Sequence, residues 1–170
     1  MRNVAKIATV ALVAIGLAGT AIGGPPTVKI TGGGIAVNNN SGFGEFLSVG
    51  GFSAIMKGDK VKGQIQARSV LASNPTIEVS SIHGKVVCVE HVGGGVWEVR
   101  FIVTKATGLA LAAELLGGHG SLFVLDGGSP GAGNDMIDEG FADPDTAACG
   151  GVDAGRIGLE PVLAGNFTVH

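Results

Sequence analysis

The chain has 170 residues, with 11 basic and 14 acidic side chains and a formal net charge of −3 at pH 7. It contains 31 glycines and no tyrosine, yet 45% of its residues are hydrophobic, which excludes an intrinsically disordered chain, and the lack of a Gly-X-Y period excludes a collagen. The acidic balance, with no Lys/Arg cluster along the sequence, argues against nucleic acid and anionic membrane surfaces as partners.

The first 23 residues have the pattern of a secretory signal peptide. Arg2 and Lys6 precede the apolar run 7–18, and small residues and two prolines follow it. We predict cleavage near Gly23, which leaves residues 24–170 as a single domain long enough to bury a core. The alternative is an uncleaved membrane anchor, because the apolar run is nearly long enough to span a bilayer.

Short apolar or alternating segments, separated by glycine-rich breaks, fill the rest of the chain. Their spacing and β-branched residues predict an all-β domain, an antiparallel β-sandwich or small barrel. The predicted strands are TVKITGGGIAV (27–37), GEFLSVGGFSAIM (44–56), KVKGQIQARSVL (60–71), TIEVSSIHGKVVCVEHV (76–92), VWEVRFIVT (96–104), GSLFVLDGG (120–128), RIGLEPVL (156–163) and GNFTVH (165–170). The Ala- and Leu-rich segment 106–116 predicts at most one short helical insertion.

Two segments near the ends of the predicted domain resemble each other. GGGIAV (32–37) and AGNFTV (164–169) both lead from small residues into an alternating strand. We predict that these two strands are neighbours, so that the last strand closes the domain against the first.

The run Gly93–Gly95 predicts the turn of a β-hairpin. Pairing Val92 with Trp97 across a four-residue loop gives an acceptable register, whereas a slip of one residue would set Glu90 directly against Glu98. Like charges at opposite positions are unfavourable, so we predict the first register.

The two cysteines, Cys88 and Cys149, predict one disulfide, since both enter an oxidising compartment if the signal peptide is functional. The predicted hairpin register turns Cys88 inward, opposite Phe101, with His91 opposite Glu98. Cys88 and His91 then point to opposite faces of one strand, which argues against a zinc site there.

The stretch LDGGSPGAGNDMIDEG (125–140) is the richest in potential chemistry. Its G-x-S-x-G pattern around Ser129 lacks the following helix of a nucleophile elbow, and only His170 lies downstream as a base. An EF-hand loop beginning at Asp126 fails at most ligand positions. The nonapeptide PGAGNDMID partly matches a glycine-rich calcium repeat, but such repeats require several copies and the chain has one.

Two interpretations of the acidic loop 126–153 remain open. Seven acids and no Lys or Arg lie within it, and glycine-rich backbone could add carbonyl ligands, which favours an irregular calcium site. Its predicted ligands are Asp126, Asp135, Asp138 and Glu139. The other interpretation is a solvated acidic turn that keeps a secreted β-protein soluble.

Five phrases occur in order along the chain: ITGGGIAV, GGFSAIMKGDKVKGQIQ, IEVSSIHGKVVCVEHV, LFVLDGGSPGAGND and LAGNFTVH. In this order they resemble the post-COAP family of secreted bacterial all-β domains. The resemblance implies a secreted β-fold and carries no established activity. The positions that match the family's aspartate- and glycine-rich motif are Asp126, Gly128, Pro130, Gly131, Gly133 and Asp135. The segments 109–118 and 138–162 depart from the family's pattern.

These observations predict a secreted, non-enzymatic module of the extracellular space or cell envelope, with a structural or interaction role. Its partner would be a protein or a cell-envelope component, and it would meet a membrane only through an uncleaved signal. The scattered histidines do not supply a converging acid, base and nucleophile. Trp97 is expected in the core, so an aromatic platform for carbohydrate is scarce. The alternative is a calcium-dependent binding domain that uses the acidic loop 126–153.

Overall fold

The fold is a highly curled antiparallel sheet of nine strands that forms a half-barrel, which confirms the predicted all-β class. It is seen in a computed structural model that describes residues 25–38, 46–108, 115–128, 134–141, 149 and 157–170. The strands are β1 (Thr27–Asn38), β2 (Phe46–Lys57), β3 (Lys60–Leu71), β4 (Asn74–Gly93), β5 (Val96–Gly108), β6 (His119–Leu125), β7 (Met136–Phe141), β8 (Glu160–Pro161) and β9 (Ala164–Val169). Their order across the sheet is β8-β7-β6-β5-β4-β3-β2-β1-β9.

Strands that follow one another in the chain pair with one another, with one exception. The last strand, β9, crosses back to β1, where Gly32 lies opposite Phe167 and Ile30 opposite Val169. Just before β9, the N–H of Leu163 donates to the carbonyl of Ile35 at 2.7 Å. The predicted pairing of 32–37 with 164–169 is therefore confirmed.

The two faces of the sheet differ, because strand side chains alternate between them. The inner face carries the hydrophobic core, and Phe52 packs there against Phe167 with 5.5 Å between ring centroids. Fully buried members of this core are Ile30, Ala54, Val86, Val99, Val103, Leu122, Val124, Val162 and Phe167. We call the opposite side of the sheet the outer face.

The β4–β5 hairpin forms at the predicted glycines but in the other register. Gly94 and Gly95 have φ values of 60° and 82° and form a two-residue turn, the type whose twist matches that of paired strands. Glu90 consequently lies opposite Glu98. The predicted four-residue loop is wrong, because three consecutive glycines permit a tighter turn.

The position of Cys88 changes with that register. It lies opposite Arg100 on the outer face, and not inward opposite Phe101. A register shift between Val86 and Cys88 leaves one extra residue in β4, so Val86 and Val89 can both face the core. The prediction treated the opposed glutamates as a cost, but Glu98 has a buried cation beside it.

Strand β7 was not predicted, since its sequence MIDEGF reads as part of an acidic loop. The predicted signal peptide, 1–23, lies outside the described residues, as does most of 106–116. The part of 106–116 that is described consists of the end of β5 and the start of a turn, and the described residues include no helix. None of their segments is a helix long and apolar enough to cross a membrane.

Candidate functional site

The connection between β6 and β7 holds the first two predicted calcium ligands, and its structure begins with Asp126. One carboxylate oxygen of Asp126 accepts a hydrogen bond from the N–H of Gly128 at 2.7 Å, which tightens the turn. The other accepts from the N–H of Val169 in β9 at 2.9 Å. Asp126 therefore joins the connection to the last strand of the sheet.

Asp135 makes the same kind of contact with β9, at Phe167, two residues before Val169. Its side chain is fully buried, with 0% of its surface exposed. One carboxylate oxygen accepts from the N–H of Gly127 at 3.0 Å, and the other accepts from the N–H of Phe167. Its backbone carbonyl also accepts from the N–H of Val162 at 3.0 Å.

These contacts close a free strand edge. His170 exchanges backbone hydrogen bonds with Lys29, so the N–H groups of Val169 and Phe167, one and three residues earlier, point away from β1. They are the donors that an edge strand would leave exposed. We call the carboxylates of Asp126 and Asp135, together with these two N–H groups, the carboxylate clasp.

The other two predicted ligands, Asp138 and Glu139, point to opposite faces of β7. Asp138 accepts a hydrogen bond from the N–H of Gly158 at 3.0 Å, on the outer face. Glu139 points inward and accepts from the hydroxyl of Ser48 at 2.8 Å. The structure thus brings Asp126 and Asp135 to one strand edge and separates Asp138 from Glu139.

Within the described part of the chain, one group of three acids, histidines or cysteines has ligand atoms within 4.8 Å of one another. It consists of Glu90, Glu98 and Cys149, and contains none of the four predicted calcium ligands. The sulfur of Cys149 is bonded to Cys88, so it is not a thiolate donor. The calcium site stays a prediction, while the geometry gives Asp126 and Asp135 a role in the fold.

The interior of the half-barrel is nearly filled around Glu139. Two cavities of about 20 Å³ each border this side chain, and each has room for about one water molecule. Ligand pockets are typically about 300 to 1,000 Å³. Burial raises the pKa of Glu139, the Ser48 hydrogen bond opposes that rise, and the neighbouring charge of Asp138 adds to it.

A buried polar cluster lies on the outer face of β5 and β6. Glu98 and Arg100 are both 0% exposed, and a guanidinium nitrogen lies 2.9 Å from a carboxylate oxygen. Ser121 donates to that same oxygen at 2.8 Å and accepts from Arg100 Nε at 3.1 Å. Because each member contacts the others, the cluster offsets part of the cost of burying two charges.

The predicted disulfide is confirmed, and it lies on the same face as this cluster. Cys88 is bonded to Cys149 with 5.7 Å between Cα atoms, and the N–H of Cys149 lies 3.2 Å from Cys88 Sγ. Cys88 is directly opposite Arg100 in the sheet, and Arg100 is opposite Ser121. The disulfide therefore holds Cys149 against the outer face of β4, beside β5.

The sequence analysis did not predict the buried cluster, because Glu98 and Arg100 alternate with apolar residues in β5 and charged side chains are rarely fully buried. One signal was available in β6, where Ser121 opens the apolar run SLFVL. A continuous apolar strand is typical of burial on both faces, and residues 120–124 are all buried. Strand β5, which pairs with β6, has both of its faces buried at the same position, over residues 98–101.

The outer face of β2 to β5 is different, because it holds an open groove of about 710 Å³. The floor includes the backbone of Gly50 and Gly51 in β2 and of Gly84 in β4. Side chains that can donate or accept hydrogen bonds line it: Ser53, Gln64, Gln66, Arg68, His83 and Thr104. Gln64, Gln66, Arg68 and Thr104 are exposed.

Strand register gathers cations around this groove. The outward rows are Thr27 with Lys57 and Lys60; Lys29 with Ile55 and Lys62; Thr31 with Ser53, Gln64 and Lys85; Gly33 with Gly51, Gln66, His83 and Lys105; and Ile35 with Val49, Arg68, Ser81 and Thr107. These rows contain seven exposed Lys and Arg side chains and no Asp or Glu. We call them the basic rows. The acid nearest in sequence is Asp59, in the β2–β3 turn.

The basic rows could not be read from the linear sequence. Lys62, Lys85 and Lys105 are about twenty residues apart in the chain, and strand pairing alone brings them onto one face. The prediction that no Lys/Arg cluster exists holds along the sequence but not across the sheet.

Comparison with known proteins yields no match: no protein-family model, curated protein or solved structure is similar to this chain. The resemblance to the post-COAP family therefore stays a prediction.

Proposed function

We propose that the protein is a non-enzymatic binding module of the extracellular space or cell envelope, and that it binds its partner in the groove on the outer face of β2 to β5. The observation that carries the proposal is the groove itself. It is open, its floor includes glycine backbone, and hydrogen-bonding side chains line it. The exposed Lys and Arg side chains of the basic rows lie around it. Concave surfaces with converging polar groups are the usual form of a binding site.

The small size of the cavities inside the half-barrel favours a binding site on the surface of the protein. Ser48 and Glu139 are in contact, and a hydroxyl beside a carboxyl is a combination that some enzymes use. The cavities beside them hold about one water each, so a substrate has no room there. This favours a non-enzymatic role.

The disulfide supports the proposed location. A bond between Cys88 and Cys149 is compatible with an oxidising compartment, where such bonds persist. It agrees with the secretory signal predicted over residues 1–23. An envelope component or another extracellular molecule is then the expected partner.

A groove-filling variant tests the proposal. A Cβ added to Gly51 would approach its nearest atom, the carbonyl oxygen of Gly32, at 3.4 Å, so Gly51→Val should fold while its side chain occupies the groove. The matched control is Gly158→Val, because an added Cβ there meets nothing within 4 Å. Each protein would be immobilised and incubated with the envelope fraction of its source cells, with and without a calcium chelator.

We expect the wild type and Gly158→Val to retain the same envelope component with or without chelator, and Gly51→Val to lose it. Retention by Gly51→Val would contradict a groove site. Binding that disappears with chelator in every variant would instead support the calcium-dependent alternative. Equal melting temperatures of the three proteins would show that the comparison is between folded molecules.

A further inference from the structure

We propose that the groove binds an anionic polysaccharide, a chain of sugar units that carry carboxylates. The inference rests on the proposed function and names the chemical class of its ligand. Three features of the outer face lead to it: the charge of the basic rows, the hydrogen-bonding side chains between the charges, and the shape of the floor.

Charge is the first feature. Arg68 and Lys62 lie on the same face of β3, six residues apart, which is about 20 Å at a rise of about 3.3 Å per residue. Lys85 and Lys105 extend the positive field across β4 and β5. A cationic surface of this length, without an acid in its rows, suits a polymer with repeated negative charges more than a single small anion.

The side chains between these charges are the second feature. Gln64 and Gln66 lie between Lys62 and Arg68 on the same face of β3, and each glutamine carries both a donor and an acceptor. Sugar hydroxyls also donate and accept, so an amide can bond them in either direction. The guanidinium of Arg68 can donate two parallel hydrogen bonds to one carboxylate, so it binds a carboxylate with a more defined geometry than a lysine ammonium does.

The floor is the third feature. Gly51 lines the groove and has no side chain, so a ligand can approach the backbone of β2 closely. Binding an acidic glycan in this way relies on charge and hydrogen bonds rather than on stacking against an aromatic ring. The scarcity of aromatic residues that the sequence shows is therefore no obstacle.

Other anionic polymers fit the groove less well. Single-stranded nucleic acid is usually held by bases stacked on aromatic side chains, and the basic rows contain no Phe or Trp. An acidic peptide commonly adds a strand to a free sheet edge, but β2 to β5 are interior strands with both edges paired.

Calorimetric titration with four polymers tests the inference. The probes are polygalacturonate, its neutral methyl ester, polyglutamate and single-stranded DNA, at equal charge concentration where they are charged. The proteins are the wild type, Arg68→Gln, Arg68→Lys and Gly51→Val, with Gly158→Val as the control. Circular dichroism and the melting temperature of each variant show whether it is folded.

We expect the wild type and Gly158→Val to bind polygalacturonate at least tenfold more tightly than the other three polymers. Arg68→Gln should lose at least tenfold in affinity, Arg68→Lys should lose less, and Gly51→Val should lose measurable binding. Equal affinity for the methyl ester, or tighter binding of DNA or polyglutamate, would overturn the inference while leaving a groove function in place. If folded Gly51→Val bound every polymer as the wild type does, the proposed groove function would fail too.

Discussion

Apart from the buried pair Glu98 and Arg100 in β5, the first five strands and the last four use their charged residues in opposite ways. Residues 27–108 contain eight Lys and Arg and five Asp and Glu, whereas 109–170 contain nine acids and one Arg. In the first region the exposed cations stand on an open outer face. In the second, the acids whose structure is described mostly accept backbone or hydroxyl hydrogen bonds.

The contrast teaches that a chemically rich stretch need not be the binding surface. The glycine- and acid-rich connection serves the fold through the carboxylate clasp, while the groove consists of residues that look ordinary in the sequence. The difference can be tested at the buried polar contacts and the disulfide, where substitutions should change stability, and in the groove, where the substitutions proposed above should change binding.

Removing the disulfide should have the largest effect on stability. Cys88 and Cys149 are separated by 61 residues, and on the chain-entropy model closing such a loop stabilises the fold by about 4 kcal/mol. Replacing both with serine should lower the free energy of unfolding by about that amount, measured by denaturation in urea. An unchanged unfolding midpoint would show that the stability of the fold does not depend on this link.

Breaking the buried ion pair should cost nearly as much. Arg100→Met removes the cation beside the buried carboxylate of Glu98 and should destabilise the fold by about 3 kcal/mol. The double variant Glu98→Leu with Arg100→Met should recover much of that loss, because no buried charge remains. If the single and double variants were equally unstable, the pair would act through shape rather than charge.

Opening the carboxylate clasp should have a smaller but clear effect. Asp135→Ala removes the acceptor of two backbone N–H groups, from Gly127 and Phe167, and should cost about 2 kcal/mol. Glu160→Gln, an exposed substitution on β8, is the matched control and should leave the unfolding midpoint unchanged. Stability equal to that of the wild type in Asp135→Ala would exclude the clasp as a structural element.

The smallest effect should depend on pH and come from Glu139. Burial raises its pKa in the folded protein above the ordinary value of 4.5. The folded state then holds the proton more tightly than the unfolded state, so the associated stability is full below pH 4.5 and is lost as the pH rises through the folded pKa. Glu139→Gln lacks this loss.

Unfolding of Glu139→Gln and the wild type should therefore be compared at pH 4 and pH 7. We expect similar stability at pH 4 and a more stable variant at pH 7, with the difference growing between the two. A variant that is less stable than the wild type at pH 7 would show that the ionised carboxylate supports the fold.

The sequence predicts much of the architecture because alternation and glycine breaks are local signals. They locate most strands, and the similarity of 32–37 to 164–169 predicts the pairing of β1 with β9. They fail at β7, MIDEGF, because an acid, Glu139, takes an inward position beside Ser48, where alternation would lead one to expect an apolar residue. They also fail for the β4–β5 register, which depends on a tight glycine turn and on a buried cation beside Glu98.

The candidate site is harder to predict for a physical reason. Asp126 and Asp135 stand out in the sequence, but nothing local reveals that their acceptors meet N–H groups 43 and 32 residues away. The cations of the groove are also distant from one another in the chain. Both arrangements arise from register between strands, which the order of residues specifies only through the whole fold.

Amide hydrogen exchange at Phe167 and Val169 tests the central claim most directly. The carboxylate clasp predicts slow exchange at both N–H groups, although they point away from β1, and no change on adding millimolar calcium. In Asp135→Ala the exchange of Phe167 should accelerate selectively, and in Asp126→Ala that of Val169. Rapid exchange of both amides in the wild type would contradict the account, as would protection that appears only with calcium.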